Sequence, residues 1–510
     1  MPDVALIMTR NKADVAKTTE VDPNISLYYL KGALERQGIS TEVINPFSTS
    51  EYQMEDILYR TVASQPKAIG ISAPSRCGED VFELSEALKE RLDVPIVVGG
   101  YISILGREII QNIPDVDVLF KGEGEIRAPE LFRALIEGTS YEHIPGIIYR
   151  KEYSLFDTGK APQVPKKVLG EVLPDFSYLG LMDGDKTAEI YSARGCYNAC
   201  SFCAIRAMNG KGVRAMPKKS LQNLIESIAQ QYQPKVLHFS DDNFLFKRKR
   251  LDDIREVVMK YGMKVKFQAR AEDVIRYSKE IIRNKDIINL VSIGVESFSE
   301  SQLRRWKKNT SAWENMQAIN ILSEHKIPVR PYFMFVDSET THEELKENFR
   351  TFLRLPLFDG KTPYHVLGLT RDFRMPLNPL SDRYGYANLP DHLMRFYRLI
   401  RETNSRLKLA ESYFEIFAKG NDTNIEDQKA SITTLIKSSV ALYLTAIWGA
   451  HPEIGVGHCG IEEHEKLRDN VIEFERKIEQ DNMSDVAKFA ITLEERVDKI
   501  LQVFTLDEAA

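Results

Sequence analysis

The sequence predicts an α/β protein made of two successive strand-helix arrays and a helical C-terminal segment. Short apolar strand-like runs alternate with amphipathic helix-like runs from residue 4 to about residue 140. The same alternation resumes near residue 187 and continues to about residue 370, and from His392 onward only helix-like periodicity remains.

In the first array the strands are VALIMTR (4–10), STEVINPF (40–47), KAIGISA (67–73), PIVVGG (95–100) and VDVLFKG (116–122). Helices are expected over 25–37, 54–63, 81–92, 105–112 and 126–136, with Val81, Leu84 and Leu88 on one face of the third. Five strands alternating with helices imply a parallel, doubly wound, Rossmann-like sheet covered on both faces. Such a sheet binds ligands at the carboxyl ends of its strands. Ser72, Ala73, Pro74 and Ser75 fall there, as do Gly99, Gly100 and Tyr101, and Gly122, Glu123, Gly124 and Glu125. Residues 1–140 are therefore taken as one domain. Residues 141–186 read as a connector, with a hairpin in GIIYRKEYSLF (146–156) and a proline-bearing run at 161–174.

The second array opens with a strand at about 188–193. A helix over 221–231 follows, with Ser220 as N-cap and Leu221, Leu224, Ile225 and Ile228 on one face. KVLHFSDDNF (235–244), KVKFQAR (264–270), NLVSIGVES (289–297), PVRPYFMFV (328–336) and YHVLGLT (364–370) supply five more strands. Two intervening helices carry capping-box patterns, Ser299 to Gln302 and Thr341 to Glu344. Six such units over 187–388 imply a partial (β/α)6 barrel, whose chemistry sits at the strand ends. Polar groups stand at those ends: Ser240, Asp241 and Asp242 on the second strand, Gln268 and Arg270 on the third, Glu296 and Ser297 on the fourth, and Arg330 on the fifth. For each taken singly, an ordinary cap or surface ion pair is the competing reading. The Pro- and Arg-rich stretch 370–390 has the composition of an active-site rim, and 389–510 is expected to form a helical cap. Within it, GAHPEIGVGHCG (449–460) offers His451, His458 and Cys459, where a glycine-rich turn with a free thiol outweighs a metal site.

At 510 residues with 43% hydrophobic and 28% charged content and a net charge of -6, the chain has ample core and no basic excess for nucleic acid. The basic runs 247–250 and 304–308 adjoin helix-like sequence and read as solvated faces. No apolar run is long enough to span a bilayer, and VALIMTR is too short for a signal peptide, so the cytoplasm is the expected compartment and no membrane partner is expected. Five cysteines, three of them clustered, fit a reducing environment.

That cluster is RGCYNACSFC (194–203), placing Cys196, Cys200 and Cys203 on one loop after the first strand of the second array. Structural zinc wants four ligands, and no fourth Cys or His lies near; the next His is His238. A [4Fe–4S] cluster on three thiolates leaves one iron open.

The C-x3-C-x-aromatic-C spacing of Cys196, Cys200, Phe202 and Cys203 resembles the signature of the radical S-adenosylmethionine (SAM) enzymes. The resemblance implies that these cysteines hold a [4Fe–4S] cluster. It further implies that the open iron binds SAM and that one electron cleaves SAM to methionine and a 5'-deoxyadenosyl radical. It assigns the second strand's end to the SAM amino group. Family members use Gly-Gly-Glu there; Asp241 or Asp242 stands in here, Arg270 suits the SAM carboxylate, and Glu296 and Ser297 lie in the segment beside the ribose and methionyl part. The VGG and GEGE loops, with IPGIIYR (144–150), resemble the cobalamin-binding domain that precedes the radical core in one branch of the family. Domains that ligate cobalt from below carry D-x-H-x-x-G after the first strand, and this chain has no histidine before His143. Cobalamin bound here would lack a histidine ligand from this domain.

A cobalamin-dependent C-methyltransferase acting on a small metabolite is the implied function, with an external one-electron reductant such as flavodoxin or ferredoxin. Radical rearrangement or cyclisation without methyl transfer is the alternative. A tRNA methylthiotransferase would need further N-terminal cysteines, where only Cys77 stands. An iron-sulfur electron carrier would have no use for six strands with polar ends. No catalytic residue beyond the cofactor-binding ones is assigned.

Overall fold

The computed structural model describes residues 1–9, 22–23, 25–44, 47–48, 54–74, 78–152, 154–181, 186–334, 339–341, 343–344, 347–348, 351 and 470. Ser75, Cys77, the strand expected at 364–370, the rim, the helical cap and the 449–460 turn lie outside them. The first compact unit contains Met1–Asn289 and the second starts at Leu290.

The N-terminal sheet is built from β1 (Val4–Met8), β2 (Thr41–Ile44), β3 (Ala68–Ser72), β4 (Ile96–Gly99) and β5 (Val118–Phe120), then β6 (Ile147–Lys151) and β7 (Ser154–Asp157). Their spatial order is β2-β1-β3-β4-β5-β6-β7. The first five are parallel, and the expected hairpin, β6 and β7, adds antiparallel to β5. This 2-1-3-4-5 order has its switch point between β1 and β3, which is where doubly wound sheets take ligands.

Alternate residues explain both faces. Ala5, Ile7, Ile69 and Ile71 pack under helices α2 (Met54–Ser64), α3 (Gly78–Lys89) and α4 (Arg107–Asn112) through Ile57, Val81, Leu84, Leu88 and Ile110. Val4, Leu6 and Val97 face α1 (Ile25–Arg36) and α5 (Ala128–Glu137) through Leu27, Leu34, Leu131 and Phe132. A strand covered on both sides becomes apolar at every position, as VALIM is. Helix α5 stops at Gly138, whose left-handed φ of 66° ends it.

In the second array, β8 (Thr187–Ile190), β9 (Val236–Phe239) and β10 (Lys264–Arg270) are parallel in that order. The short helix α6 (Ile205–Asn209) follows the cysteines, and α7 (Lys218–Tyr232) and α8 (Arg250–Lys260) connect the strands. Helix α7 begins three residues earlier than expected: Pro217, with φ of -57°, is its N-cap and Ser220 lies in the first turn.

In the second unit, Val291–Glu296 of the strand Ile288–Glu296 pairs parallel to Val329–Phe333, with a bulge between Gly294 and Glu296. Of the two expected capping boxes, Thr341 and Glu344 make both bonds. Ser299 caps nothing with its side chain, because Gln302 turns inward to Ser297 and Asn348. A further full box, not expected, is made by Ser311 and Glu314.

Candidate functional site

The cysteine loop is closed at its base by a two-residue antiparallel ribbon in which Ala193 pairs with Ala215 and Arg194 with Arg214. Gly195 has φ of 87°, and a Cβ there would run into Gly212 O, so the loop turns sharply where it leaves the ribbon. Cys196, Cys200 and Cys203 are free thiols, all partly exposed, and Cys203 N donates to Cys200 O at 3.1 Å. Burial pushes the Cys196 thiol up and the Cys203 thiol to about 11. Among the described residues no group of three His, Cys, Asp or Glu is gathered tightly enough for one ion. Three thiolates on a cluster each bind a different iron and need no such convergence. His238, the next histidine, turns to Glu189 instead, at 3.9 Å.

The two aspartates after β9 do different jobs. Asp241, 1% exposed, accepts from Ser192 N at 2.6 Å, Ser192 Oγ at 2.6 Å and Ala193 N at 2.8 Å, and pairs with Arg250 at 3.0 Å. Both of its oxygens are thereby taken up in holding the end of β8, which removes it as an acceptor for a ligand ammonium. Asp242 is less enclosed. Its Oδ2 accepts from Gly195 N at 2.7 Å and from Asn209 Nδ2 at 2.8 Å, which are the two shoulders of the cysteine loop. Burial raises its carboxyl above the ordinary range.

Arg250, placed on a solvated face by its sequence neighbours, is 2% exposed, with its guanidinium 4.6 Å from the Phe244 ring. Lys308, in the second unit, departs likewise: it is 4% exposed and pairs with Glu296 at 3.0 Å. Enclosed carboxylates draw these cations out of their runs, and Arg305 is likewise held, partly exposed, by Glu344 at 2.8 Å.

Arg270, at the end of β10, pairs with Glu272, and its Nη1 lies 3.6 Å from Cys200 Sγ. Tyr197, inside the cysteine loop, donates to Asp273 at 2.6 Å, so the loop is also tied to the helix after β10. Phe202 is half-buried beside the thiols, Gln268 is exposed, and the Ser240 hydroxyl bonds Glu189. In the second unit, Glu296 sits at the bulge with φ of 66°, and Arg330 is buried. The Ser297 hydroxyl is enclosed by Gln302 at 2.6 Å and Asn348 at 2.8 Å, so this side chain serves a structural knot and not a ligand.

At the N-terminal sheet's carboxyl edge, Gly100 has φ of 82°, and a Cβ there would meet Ala73 O at 2.9 Å; its glycine is required by the fold itself. Ser72, Pro74, Gly99, Gly122 and Gly124 are partly exposed, Ala73 is buried, and Tyr101 is 42% exposed at the rim. Gly99 is open, with no atom nearer than 3.7 Å to an added Cβ. The cysteine loop reaches this edge: Ser103 Oγ lies 3.9 Å from the Met208 sulfur.

The two glutamates of GEGE, expected to face a ligand, instead meet arginines of the ribbon. Glu125 pairs with Arg194, while Glu123 pairs with Arg214 and lies 3.7 Å from Arg194. Sequence reasoning left both arginines unassigned, and no spacing rule links residues so far apart in the chain.

Residues 190–352 match the radical SAM superfamily and residues 11–132 the B12 binding domain. An anaerobic magnesium-protoporphyrin IX monomethyl ester cyclase of Synechocystis is 24% identical over 60% of this chain and 63% of its own length. An uncharacterised methyltransferase of Pyrococcus horikoshii is 23% identical over 67% and 76% respectively. A hopanoid C-3 methylase of Methylococcus capsulatus is 25% identical over 47% of each chain. The chain thus spans less than two thirds of the cyclase. Among solved structures, the cobalamin-dependent radical SAM enzyme OxsB shares the fold with a TM-score of 0.67 at 19% identity, over 99% of this chain and 84% of its own. The methyltransferase TsrM of Kitasatospora setae does so at 0.55 and 17%, over 70% of each. A B12 binding domain followed by a radical SAM domain is the order these matches give, and the chain belongs to the radical SAM superfamily, in the branch with an N-terminal cobalamin-binding domain.

Proposed function

We propose that this chain is a cobalamin-dependent radical SAM C-methyltransferase acting on a small molecule. The observation that carries the reading is the approach of the cysteine loop to the carboxyl edge of the B12-type sheet, through Ser103 and Met208. When bound, the cluster and SAM supply a carbon-centred radical on the substrate, and cobalamin supplies the methyl group.

The donor set fits these groups. Cys196, Cys200 and Cys203 would hold the cluster, with no fourth Cys or His alongside among the described residues. Asp242 keeps both shoulders of their loop in place and is the carboxylate left to meet the SAM ammonium. Arg270, already anchored by Glu272, stands where it can pair with the SAM carboxylate. The backbones at Ser72–Pro74, Gly99–Gly100 and Gly122 offer cobalamin an edge free of bulky side chains, and Tyr101 flanks it. No histidine precedes His143, so the domain contributes no histidine to cobalt.

We further take the domain limits as 1–140, 141–186, 187–388 and 389–510, the reductant as a flavodoxin- or ferredoxin-type protein, and the compartment as the cytoplasm. No helix among the described residues is long and apolar enough to cross a membrane. A second reading, radical ring closure without methyl transfer, draws support from the cyclases among the relatives.

The test is anaerobic turnover with reductant and SAM carrying a deuterated methyl group. 5'-Deoxyadenosine together with label in the product is expected. 5'-Deoxyadenosine from a protein that contains no corrinoid and is indifferent to added methylcobalamin would leave the radical core and remove methyl transfer.

A further inference from the structure

We propose that Glu123 and Glu125 of the N-terminal domain are positioning residues for the iron-sulfur cluster, acting through Arg194 and Arg214 at the base of the cysteine loop. The inference rests on the reading that Cys196, Cys200 and Cys203 hold the cluster. It reassigns the GEGE side chains from the cobalamin pocket to the cluster.

The geometry is a closed clamp. The ribbon that shuts the cysteine loop consists of residues 193–194 and 214–215, and its only charged members are the facing pair Arg194 and Arg214. Each meets a glutamate of one short loop of the other domain, Arg194 with Glu125 and Arg214 with Glu123. Glu123 bridges the two, since its Oε2 lies 3.0 Å from Arg214 Nη1 and 3.7 Å from Arg194 Nη1. The same Oε2 accepts from Val164 N at 2.6 Å, which fixes the carboxylate against the connector. All four side chains are largely enclosed: 4% and 9% exposed for Glu123 and Glu125, 9% and 16% for Arg194 and Arg214.

Arg194 is held from its faces as well. Its guanidinium lies 5.3 Å from the Tyr29 ring of α1 and 5.4 Å from the Tyr191 ring, and Tyr29 Oη accepts from Tyr191 N at 2.9 Å. The other end of the loop is braced too, where Gln163 Nε2 donates to Asn209 O at 2.7 Å. Arg194 stands two residues before Cys196 on a stiff two-stranded base. A rotation of the ribbon therefore moves the first thiolate directly. Enclosed charges keep their geometry only while both partners remain, so losing one carboxylate frees an arginine to seek water and pulls the ribbon with it.

The test uses the full-length holoprotein, reconstituted anaerobically, in the variants Glu125→Gln, Glu123→Gln, Arg194→Gln and Arg194→Lys. Three quantities are read: the rate of iron loss to a chelator, the EPR spectrum of the reduced cluster with and without SAM, and the dissociation constant for hydroxocobalamin. Glu125→Gln and Arg194→Gln are expected to speed iron loss roughly tenfold or more, as loss of an enclosed ionic partner implies, and to alter the SAM-induced change in the spectrum. Arg194→Lys, which keeps the charge, should recover part of both, and cobalamin affinity should stay within about twofold. Weakened cobalamin binding with unchanged iron retention would overturn the proposal and return the loop to the corrinoid. Wild-type iron loss and spectra in Arg194→Gln would overturn it as well. Should a glutamine variant fail to fold, Arg194→Lys and Glu125→Asp decide by the same readouts. A wild-type protein that takes up no cluster would count against the cysteine assignment itself, a distinct result.

Discussion

One oxygen of Asp242 joins Gly195 N and Asn209 Nδ2, so a single carboxylate ties the start of the cysteine loop to its end. Its neighbour Asp241 is sealed beneath with Arg250 and Ser192. The pair therefore divides its work, one member for the framework and one for the loop and its ligand. Charged hydrogen bonds are worth about 1.5 to 3 kcal/mol each, so Asp242→Ala should weaken SAM binding by roughly ten- to a hundredfold. Equilibrium SAM binding to the reconstituted protein decides the point, and unchanged affinity removes Asp242 from the SAM site.

Asp241→Asn should behave otherwise. Breaking one half of an enclosed ion pair costs about 3 to 5 kcal/mol of stability, because Arg250 keeps its charge and loses its partner. Urea unfolding should show that loss, whereas SAM affinity measured well below the unfolding transition should move little. A variant with wild-type stability and poor SAM binding would reverse the two assignments.

The thiols, the alternation of the first five strands and the polar strand ends were legible because each is a local pattern: spacing, period or composition. What those side chains meet was not. Glu125 and Arg194 lie 69 positions apart, and no window along the chain relates them. Arg250 looked solvated among Lys247, Arg248 and Lys249, since a basic run carries no sign of which member a buried carboxylate will claim. Gly100 fell by pattern at the ligand-binding edge, yet the close approach of Ala73 already requires its glycine. Pattern locates a site in the fold, and long-range charge pairing then decides which of its residues remain available.

Replacing Cys196, Cys200 and Cys203 together with Ala should abolish both cluster absorbance and SAM cleavage. The rest of the loop keeps its ties through Gly195, Tyr197 and Asn209, so the far-ultraviolet circular dichroism should be retained. SAM cleavage by the triple variant after reconstitution would dismiss the cluster assignment.

The clamp at Glu125 should also leave a mark in acid. Burial alone would push this carboxyl up, but the charge and hydrogen bond of Arg194, with the charge of Arg214, hold it below its ordinary value of 4.5. A carboxyl with a lowered folded pKa contributes stability above its unfolded value and loses it as the pH falls through the folded one. The gap in urea midpoint between wild type and Glu125→Gln should hold steady from about pH 8 to about pH 5 and narrow below about pH 4.5. A gap independent of pH across that range would mean that Glu125 contributes by shape and not by charge.

Cobalamin bound to this chain should show cobalt without a histidine of the N-terminal domain beneath it. The usual lower ligand comes from a histidine shortly after the first strand, and none occurs before His143. His143 itself lies beyond α5, 3.2 Å from Glu130. The edge that remains is made of Ser72, Pro74, Gly99, Gly100 and Tyr101, none of which supplies an imidazole. Reduced to cobalt(II), the bound corrinoid, with its own lower base detached, should therefore give an EPR spectrum without nitrogen superhyperfine splitting. Splitting into triplets would show a nitrogen ligand on cobalt, and if His143→Ala removed it, the corrin would have to sit near α5 and not over the switch point between β1 and β3.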